Sequence, residues 1–286
     1  MKTMVLAVCA VGLVSWGEPA TGLGFPGGKP VSMPLSPHFT VDYDFEGIVG
    51  LSNCSGSLVR FDDSEEDDAA LVLSNGHCVS MLSPGTVITD RSSSKRFTVL
   101  DAWGDSRGSV RASRILYATM TDTDMAVYQL RDTYREISRR FSIEPLTFSR
   151  RSPRVGEDIE VISGYWRRGY RCSVDAIVHR LREDDWIFKN AVRYSRPGCD
   201  VIGGTSGSPV VLAGTRTVVA VNNTGNMDGR RCTMNNPCEI DEEGRVSWEE
   251  GLAYAQQIYW LYSCRDGNGR LDTGLPGCLL PAPRGR

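Results

Sequence analysis

The chain is short of histidine, of long apolar runs and of charge of one sign. Its formal net charge is −3 and no basic stripe stands out, so the composition gives no reason to expect nucleic-acid binding. Beyond the N-terminus, no apolar stretch approaches the roughly 20 residues that cross a membrane. Only 3 histidines occur in 286 residues and the cysteines form no CxxC pairs, which argues against a structural zinc site.

The N-terminal segment is the exception to this lack of apolar runs. Lys2 supplies a positive charge, and residues 4–16 are apolar over the length of a secretory signal core. We therefore predict a signal peptide at 1–17, with a buried N-terminal helix as the alternative. Residues 18–40 are rich in proline and glycine and indicate an extended arm or a short pro-segment. We expect the mature protein to be secreted, monomeric and free of the membrane.

Cysteine usage agrees with export. The chain has 9 cysteines, and setting aside Cys9 in the apolar N-terminal run leaves an even number. An even set in an exported chain predicts disulfides, here four bonds, although the sequence alone does not fix their pairing. The remaining cysteines are Cys54, Cys78, Cys172, Cys199, Cys232, Cys238, Cys264 and Cys278.

From about residue 41 the sequence changes to short apolar runs separated by turn residues. Runs such as AALVLSNG, MAVYQL and RTVVAVNN are rich in β-branched residues, which favours an all-β barrel or sandwich. One helix is predicted near residue 254, in EEGLAYAQQIYWLYSC. Its apolar residues approach helical spacing: Leu252, Ala255, Ile258, Tyr259 and Tyr262.

Residues 203–210, GGTSGSPV, place a serine among small, flexible residues. The segment is either a turn rich in glycine and serine or a nucleophile held among main-chain amides. A serine nucleophile needs a base within hydrogen-bond reach. His38 lies in the proline-rich arm and His179 in a strand-like run, whereas His77 follows an apolar strand where a turn begins. Because strand-end loops commonly carry catalytic groups, His77 is the candidate base.

Three segments together resemble the chymotrypsin-like serine proteases. CSGSLV at 54–59 with ALVLSNGHCV at 70–79 resembles the strands and turn that carry the histidine of that family. TDTDMAVYQL at 121–130 resembles its aspartate segment, and GTSGSP at 204–209 resembles its nucleophile loop. The chain order His, Asp, Ser is that of this family and differs from that of the α/β-hydrolases and subtilisins.

The resemblance implies a fold and a set of site residues. It implies an all-β fold of two six-stranded antiparallel barrels, with the N-terminal barrel at 41–140 and the C-terminal barrel within 141–286. The short C-terminal helix and a disulfide-closed extension from residue 222 onward, beyond the compact core of the family, complete the region 141–286. It implies that His77 is the general base, Asp124 orients it and Ser206 attacks, with the amides of Gly204 and Ser206 as the oxyanion hole. The substrate is then a protein or peptide, and no cofactor is expected.

The resemblance also suggests a disulfide between Cys54 and Cys78. A short loop between Cys232 and Cys238 and a second one between Cys264 and Cys278 suggest two further bonds. Cys172 and Cys199 would then form the fourth.

The nucleophile loop departs from the digestive and clotting members of the family. Those proteins carry an aspartate that pairs with a new N-terminus, whereas this chain has the uncharged Thr205. The IVG at 48–50 is therefore interpreted as a strand, and the loop is expected to be organised without that ion pair. GTSGSPVV is closer to the bacterial, glutamyl-endopeptidase-like (V8-like) branch. Removal of the residues up to about 40 is a hypothesis for activation.

Substrate preference depends on three candidate residues. Asp200 stands where trypsin-like members carry a pocket-floor aspartate, which favours cleavage after basic residues; a structural role beside Cys199 is the alternative. V8-like members hold an acidic side chain with a histidine on the strand after the nucleophile. Asn222 and Asn223 occupy that strand here, and they argue against glutamate specificity.

Two polar segments could suggest a cation site. FDDSEEDDAA at 61–70 is acidic, and DGNGRLD at 266–272 places oxygen atoms at alternate positions but lacks the bidentate glutamate of a calcium loop. We interpret both as surface loops and expect no metal. Two alternative functions are a catalytically inactive binding module with a protease fold and an esterase. The esterase is disfavoured because GTSGS is not a GxSxG nucleophile elbow.

Overall fold

The structure is a computed structural model that describes residues 43–283. The signal peptide and arm predicted at 1–40, with Cys9 and His38, lie outside the described residues. The strands are β1 (Ile48–Gly50), β2 (Ser55–Arg60), β3 (Ala69–Ser74), β4 (Val87–Ser92), β5 (Arg96–Leu100), β6 (Ser106–Thr119), β7 (Met125–Thr133), β8 (Leu146–Phe148), β9 (Asp158–Ser163), β10 (Arg168–Glu183), β11 (Trp186–Tyr194), β12 (Pro209–Leu212), β13 (Thr217–Gly225), β14 (Cys238–Ile240), β15 (Val246–Ser247) and β16 (Ala253–Gln257). The helices are α1 (Tyr134–Phe141) and α2 (Trp260–Ser263).

The strands from β1 to β7, except β4, close into an antiparallel barrel. Neighbouring strands follow the order β1, β5, β6, β7, β3, β2, and β2 pairs back with β1. Apolar runs such as ALVL in β3 supply the inward side chains, and Val72, Phe97, Val110 and Tyr128 share one buried core. Removal of this apolar surface from water is the main driving force for closing the barrel.

A second antiparallel barrel follows along the chain. Its order is β13, β12, β9, β10, β11, β16, and β16 pairs back with β13. Its interior is a separate apolar core that includes Val161, Tyr170, Val192 and Val210. The fold predicted from the sequence, two six-stranded antiparallel barrels, is confirmed.

Strand β8 connects the two barrels. It pairs in parallel with β2 of the first barrel and with β13 of the second. A third apolar cluster includes Leu73 and Val127 from the first barrel and Val218 and Ile258 from the second. The barrels are therefore held together both by main-chain hydrogen bonds and by buried side chains, which fixes the position of the strand-end loops between them.

The prediction of a helix near residue 254 is wrong over most of the predicted segment. Residues Ala253–Gln257 form strand β16, and the helix α2 is a single turn at Trp260–Ser263. Because β16 closes the second barrel by pairing with β11 and β13, all five of its side chains are buried. The apolar pattern of this segment reflects burial on both faces of a strand rather than one face of a helix.

Four disulfides join the eight cysteines of the described chain, which confirms the expected number. The bonds are Cys54–Cys78, Cys172–Cys199, Cys232–Cys238 and Cys264–Cys278. Within residues 43–283, no helix has the combination of length and apolarity that a membrane crossing requires.

Candidate active site

The turn after β3 carries His77. β3 ends at Ser74, and the turn that follows includes Cys78, which is bonded to Cys54. Asn75 is fully buried, and its Nδ2 donates a 2.7 Å hydrogen bond to the main-chain oxygen of Asp124. This bond and the disulfide fix the histidine turn against the residue that precedes β7.

Asp124 is 1% exposed and holds the His77 ring. Its Oδ2 lies 2.6 Å from His77 Nδ1, and its Oδ1 accepts the main-chain N–H of His77 at 3.1 Å. Since a carboxylate oxygen only accepts, Nδ1 carries the ring proton and Nε2 keeps a lone pair that can take another. Burial lowers the pKa of His77, but the charge and hydrogen bond of Asp124, with a contribution from Glu183, outweigh it, so the pKa is raised above its usual value.

Ser206 lies in the loop that precedes β12, where the backbone requires glycine on both sides. Gly204 has φ of +89°, and a Cβ at this position would lie 2.8 Å from the ring of Tyr165. Gly207 has φ of +82°, and a side chain there would collide with the main-chain oxygen of Ser55. The small residues of GTSGSP therefore bring the main chain close to its neighbours.

The hydroxyl of Ser206 donates a 3.2 Å hydrogen bond to the main-chain oxygen of Asn223. Within the described structure no hydrogen bond joins it to the His77 ring, although both residues line the same cleft. Neither the N–H of Gly204 nor that of Ser206 donates to a protein acceptor among residues 43–283. These two unpaired donors lie on either side of Thr205, in the same loop as the serine hydroxyl.

Neutral groups organise the loop in place of the ion pair that Thr205 cannot make. Thr205 is fully buried, and its Oγ1 accepts the N–H of Ile202 at 3.3 Å. Ser55 reaches across from β2: its N–H donates to the oxygen of Ser206 at 2.8 Å and its Oγ to the oxygen of Gly204 at 3.1 Å. The nucleophile loop of the second barrel is thus tied to the first barrel.

The three predicted catalytic side chains line one cleft with an interior volume of about 110 Å³. Asn222 and Asn223 of β13 line it too. The side-chain oxygen of Asn222 accepts a 2.9 Å hydrogen bond from the hydroxyl of Tyr194, so this residue supports the cleft wall. The Nδ2 of Asn223 is buried and has no hydrogen-bond partner among the described residues.

Glu183 is a cleft residue that sequence reasoning missed. It ends β10, is 7% exposed, and its Oε1 accepts the N–H of Asn235 at 2.7 Å. Burial raises the pKa of Glu183 and the charge of Asp124 adds to this, while hydrogen bonds from Asn235 and Thr224 and the charge of His77 act in the opposite direction. None of the salt bridges among residues 43–283 pairs Glu183 with a lysine or arginine.

The local sequence contains one weak signal for Glu183. In the run RLREDDW, Glu183 is the first of three acidic residues. Only the alternation of inward and outward side chains along a strand distinguishes it from the other two. Leu181 is buried and Arg182 exposed, so the next inward position is 183. This inference requires β10 to be predicted as a strand up to residue 183, directly before the turn to β11.

Asp200 does not line the cleft in the structure, and its substrate-binding role stays a prediction. Its side chain is exposed, and the wall of the cleft at this point consists of Val201 and Ile202. Asp122, close to the catalytic candidate in sequence, forms a 2.8 Å salt bridge with Lys189 instead. His179 is exposed on β10.

The groups that could suggest a metal are committed to other bonds. Cys54 and Cys78 lie beside His77, but their sulfurs are bonded to each other and are not thiolate ligands. The N–H groups of Asn268 and Arg270 donate to Asp266 Oδ1 in the 266–272 loop. The acidic loop after β2 forms ion pairs with arginines: Glu66 with Arg60, Asp67 with Arg135, Asp62 with Arg150 and Asp63 with Arg265.

A cleft between two antiparallel barrels, with a His–Asp pair on one side and a loop serine on the other, defines a peptidase fold of the two-barrel class. The sequence profile of the trypsin-like peptidase domain matches residues 54–221, a range that contains all three candidates. The chain therefore belongs to the trypsin-like peptidase family.

Three solved structures illustrate what the chain is similar to. A Nocardiopsis protease is 15% identical over 80% of this chain and 100% of its own, with a TM-score of 0.45. A Glu endopeptidase is 15% identical over 75% and 86%, with a TM-score of 0.43. A chymotrypsin of Cellulomonas bogoriensis is 11% identical over 76% and 91%, with a TM-score of 0.41. A comparison with curated protein sequences finds no match.

Proposed function

We propose that the protein is a secreted serine endopeptidase that hydrolyses peptide bonds through Ser206, His77 and Asp124. One observation carries the proposal. A single cleft holds a loop hydroxyl and an imidazole whose Nδ1 is bonded to a buried carboxylate, and the loop of the hydroxyl carries two main-chain N–H groups without a protein acceptor among residues 43–283. These are the parts that acyl transfer by a serine requires.

Acylation begins with a rotation of the Ser206 side chain. The rotation moves Oγ from the Asn223 oxygen towards His77 Nε2, which takes the hydroxyl proton while Oγ bonds to the carbonyl carbon. The carbonyl oxygen becomes an oxyanion, bound by the N–H groups of Gly204 and Ser206. Each such donor contributes a rate factor on the order of 10²–10³. The C–N bond then breaks as His77 gives its proton to the leaving amine, and an ester remains on Ser206.

Water completes the cycle by the same groups in reverse. It gives a proton to His77 as its oxygen attacks the ester carbonyl, and the oxyanion forms again at the same two N–H groups. The bond from carbon to Oγ breaks, and Ser206 recovers its proton from His77. Asp124 accepts the hydrogen bond of His77 Nδ1 and stabilises the imidazolium in both halves of the reaction.

A fluorophosphonate probe tests the proposal directly. We expect the purified mature protein to be labelled at Ser206 and to cleave a mixed peptide library, and Ser206→Ala to do neither. Labelling located by mass spectrometry identifies the residue. A folded wild-type protein that is neither labelled nor active would instead be a binding module with a protease fold.

Export and processing are also part of the proposal. The four disulfides support an oxidising compartment, and residues 1–17 have the composition of a signal peptide. We further propose that the arm at 18–40 lowers activity until it is removed. Sequencing the N-terminus of the secreted product tests the first point. Equal activity of the secreted form and of a chain starting near Val41 would refute the second.

The proposed preference for basic residues is now supported by Glu183 rather than Asp200. Glu183 is a buried carboxylate that lines the cleft without a cationic partner in the described chain. Such a group is stabilised when a lysine or arginine side chain of the substrate enters the cleft. A cleavage pattern centred on glutamate in the peptide library would overturn this preference, and Asn223 would then be the donor to examine.

A further inference from the structure

The turn between β9 and β10 places two aromatic side chains beside the nucleophile loop. Tyr165 and Trp166 are 41% and 47% exposed. Their rings pack edge to face with centroids 4.8 Å apart. The pair stands over Gly204, where a Cβ would lie 2.8 Å from Tyr165 and 3.0 Å from the indole nitrogen of Trp166. Exposed rings in contact with a catalytic loop call for a functional explanation.

The Trp166 indole makes one polar contact. Its Nε1 donates a 2.7 Å hydrogen bond to the main-chain oxygen of Gly203. That oxygen belongs to the peptide unit whose N–H is the N–H of Gly204. Because a trans peptide is planar, its C=O and N–H point in opposite directions. A carbonyl held towards Trp166 therefore directs the Gly204 N–H away from the indole.

We propose that Trp166 is a positioning residue that holds the Gly203–Gly204 peptide in the orientation in which the Gly204 N–H binds the oxyanion. The inference rests on the proposed function, because it assigns a task to one of the two oxyanion donors. Trp166 does not touch the reacting atoms. Its hydrogen bond to the oxygen of Gly203 orients the N–H of Gly204, because both groups belong to one planar peptide unit.

This peptide needs an external restraint. It lies between two glycines, so no Cβ opposes its rotation, and a Cβ at Gly203 would meet nothing within 4 Å. Thr205 offers no charge with which to anchor the loop. The hydrogen bond from Ser55 Oγ reaches the oxygen of Gly204, which belongs to the following peptide unit. Among the described residues, the Trp166 indole is the donor that holds the carbonyl of Gly203.

The turn that carries Trp166 is itself fixed to the first barrel. The N–H of Tyr165 donates to Ser55 Oγ at 3.1 Å, and Ser163 Oγ lies 3.0 Å from the same oxygen. The N–H of Trp166 donates to Ser163 Oγ at 3.3 Å. Ser55 thus connects the aromatic turn and the nucleophile loop, and the indole reaches Gly203 from a rigid support.

Substitution of Trp166 by phenylalanine separates the effect of the indole hydrogen bond from the effect of the aromatic ring. Trp166→Phe keeps an aromatic face against Tyr165 and removes the donor, and its high exposure makes loss of the fold unexpected. A neutral hydrogen bond shifts an equilibrium by about 2- to 10-fold, so we expect kcat to fall by that factor while KM changes little. The same fall is expected in the rate of fluorophosphonate labelling, because the phosphoryl oxygen also enters the oxyanion hole.

Trp248→Phe is the matched control. Its Nε1 also donates to a main-chain oxygen, that of Gly229 at 3.2 Å, and its exposure is 41%. We expect this variant to keep the wild-type kcat and labelling rate. Ser206→Ala sets the background, and circular dichroism confirms that each variant is folded.

The outcomes distinguish this inference from the proposed function. If wild type is labelled no faster than Ser206→Ala, the proposed function fails and the inference falls with it. If wild type is labelled and Trp166→Phe reacts at the same rate, only the inference fails. A raised KM with unchanged kcat in Trp166→Phe would make the indole part of the substrate wall and would also overturn it.

Discussion

At the scale of single residues, Asp124 decides which nitrogen of His77 carries the proton. Replacement by asparagine presents an amide that can turn its NH₂ group to Nδ1, which favours the wrong tautomer. We expect Asp124→Asn to lower kcat by a factor on the order of 10⁴, with little change in stability. Steady-state kinetics and a thermal melt check this. Asp122→Asn is the control, since Asp122 pairs with Lys189 outside the cleft and its loss should leave kcat unchanged.

The pH dependence of activity reports the charge around His77. The ring must be neutral to act as a base, so kcat/KM falls as the pH drops through its pKa, which lies above the usual value of roughly 6.5. Glu183 helps to raise this pKa because its negative charge favours the imidazolium. Glu183→Gln should therefore move the acid limb of the pH profile to lower pH, whereas Asp200→Asn, an exposed position, should not move it.

Glu183→Gln also tests substrate preference. Removal of the charge should lower kcat/KM for substrates with lysine or arginine and leave substrates with glutamine or phenylalanine near their wild-type values. A panel of otherwise identical peptides measures the ratio. If all substrates lose activity equally, Glu183 supports the cleft through Asn235 and does not select a cation.

The catalytic residues and their supports differ in how far the sequence can predict them. His77, Asp124 and Ser206 each lie at a strand end within a recognisable segment, so a local pattern locates them. Glu183 reaches the cleft, and Trp166 the loop of Ser206, only because particular strands pair. No motif marks them, and the fold must be known before their contacts can be seen. The same holds for Asp200, since its sequence distance from Ser206 does not fix the direction of its side chain, which is exposed in the structure.

At the scale of secondary-structure elements, α1 is defined by its cap. Thr133 Oγ1 accepts the N–H of Glu136, and the carboxylate of Glu136 accepts the N–H of Thr133. Loss of such a capping box costs about 1 kcal/mol. We expect Thr133→Ala to lower the free energy of unfolding by about this amount, measured by chemical denaturation. Thr133→Ser retains the hydroxyl and should stay near wild type, whereas equal losses in both variants would contradict the role of the cap.

The errors in predicting α1 and β16 have opposite causes. α1 was missed because only three of its eight residues, Tyr134, Ile137 and Phe141, are buried, and its strongest local signal is the polar cap. The segment at β16 was given a helix because its apolar residues recur near helical spacing. Its partners β11 and β13 are distant in sequence, and their hydrogen bonds override that spacing. Strands bounded by turn residues were predictable, but the closure of a barrel was not readable from any one of them.

At the scale of the whole molecule, the C-terminal segment after α2 runs from the second barrel back over the first. Within α2, the hydroxyl of Tyr262 donates to the main-chain oxygen of Phe148 at 3.1 Å. After α2, Arg265 lies above the ring of Phe61 at 4.1 Å from its centre. The hydroxyl of Tyr117 in β6 donates to the oxygen of Pro281 at 3.1 Å. The segment therefore acts as a strap across the two barrels whose facing loops form the cleft.

The disulfide Cys264–Cys278 closes this strap, and its sequence separation is 14 residues. A bond around a loop of this length contributes about 3 kcal/mol by restricting the unfolded chain. We expect the double variant Cys264→Ser and Cys278→Ser to lose about 2–4 kcal/mol of unfolding free energy. None of the residues that the strap contacts lines the cleft, so kcat at 25 °C should stay near wild type while the temperature of inactivation falls.

The double variant Cys232→Ser and Cys238→Ser provides the contrast. The disulfide that it removes closes the loop that brings Met234 and Asn235 to the cleft, so kcat/KM should fall. Loss of kcat in the strap variant without loss of stability would show that the strap shapes the site itself, against the separation of roles argued here.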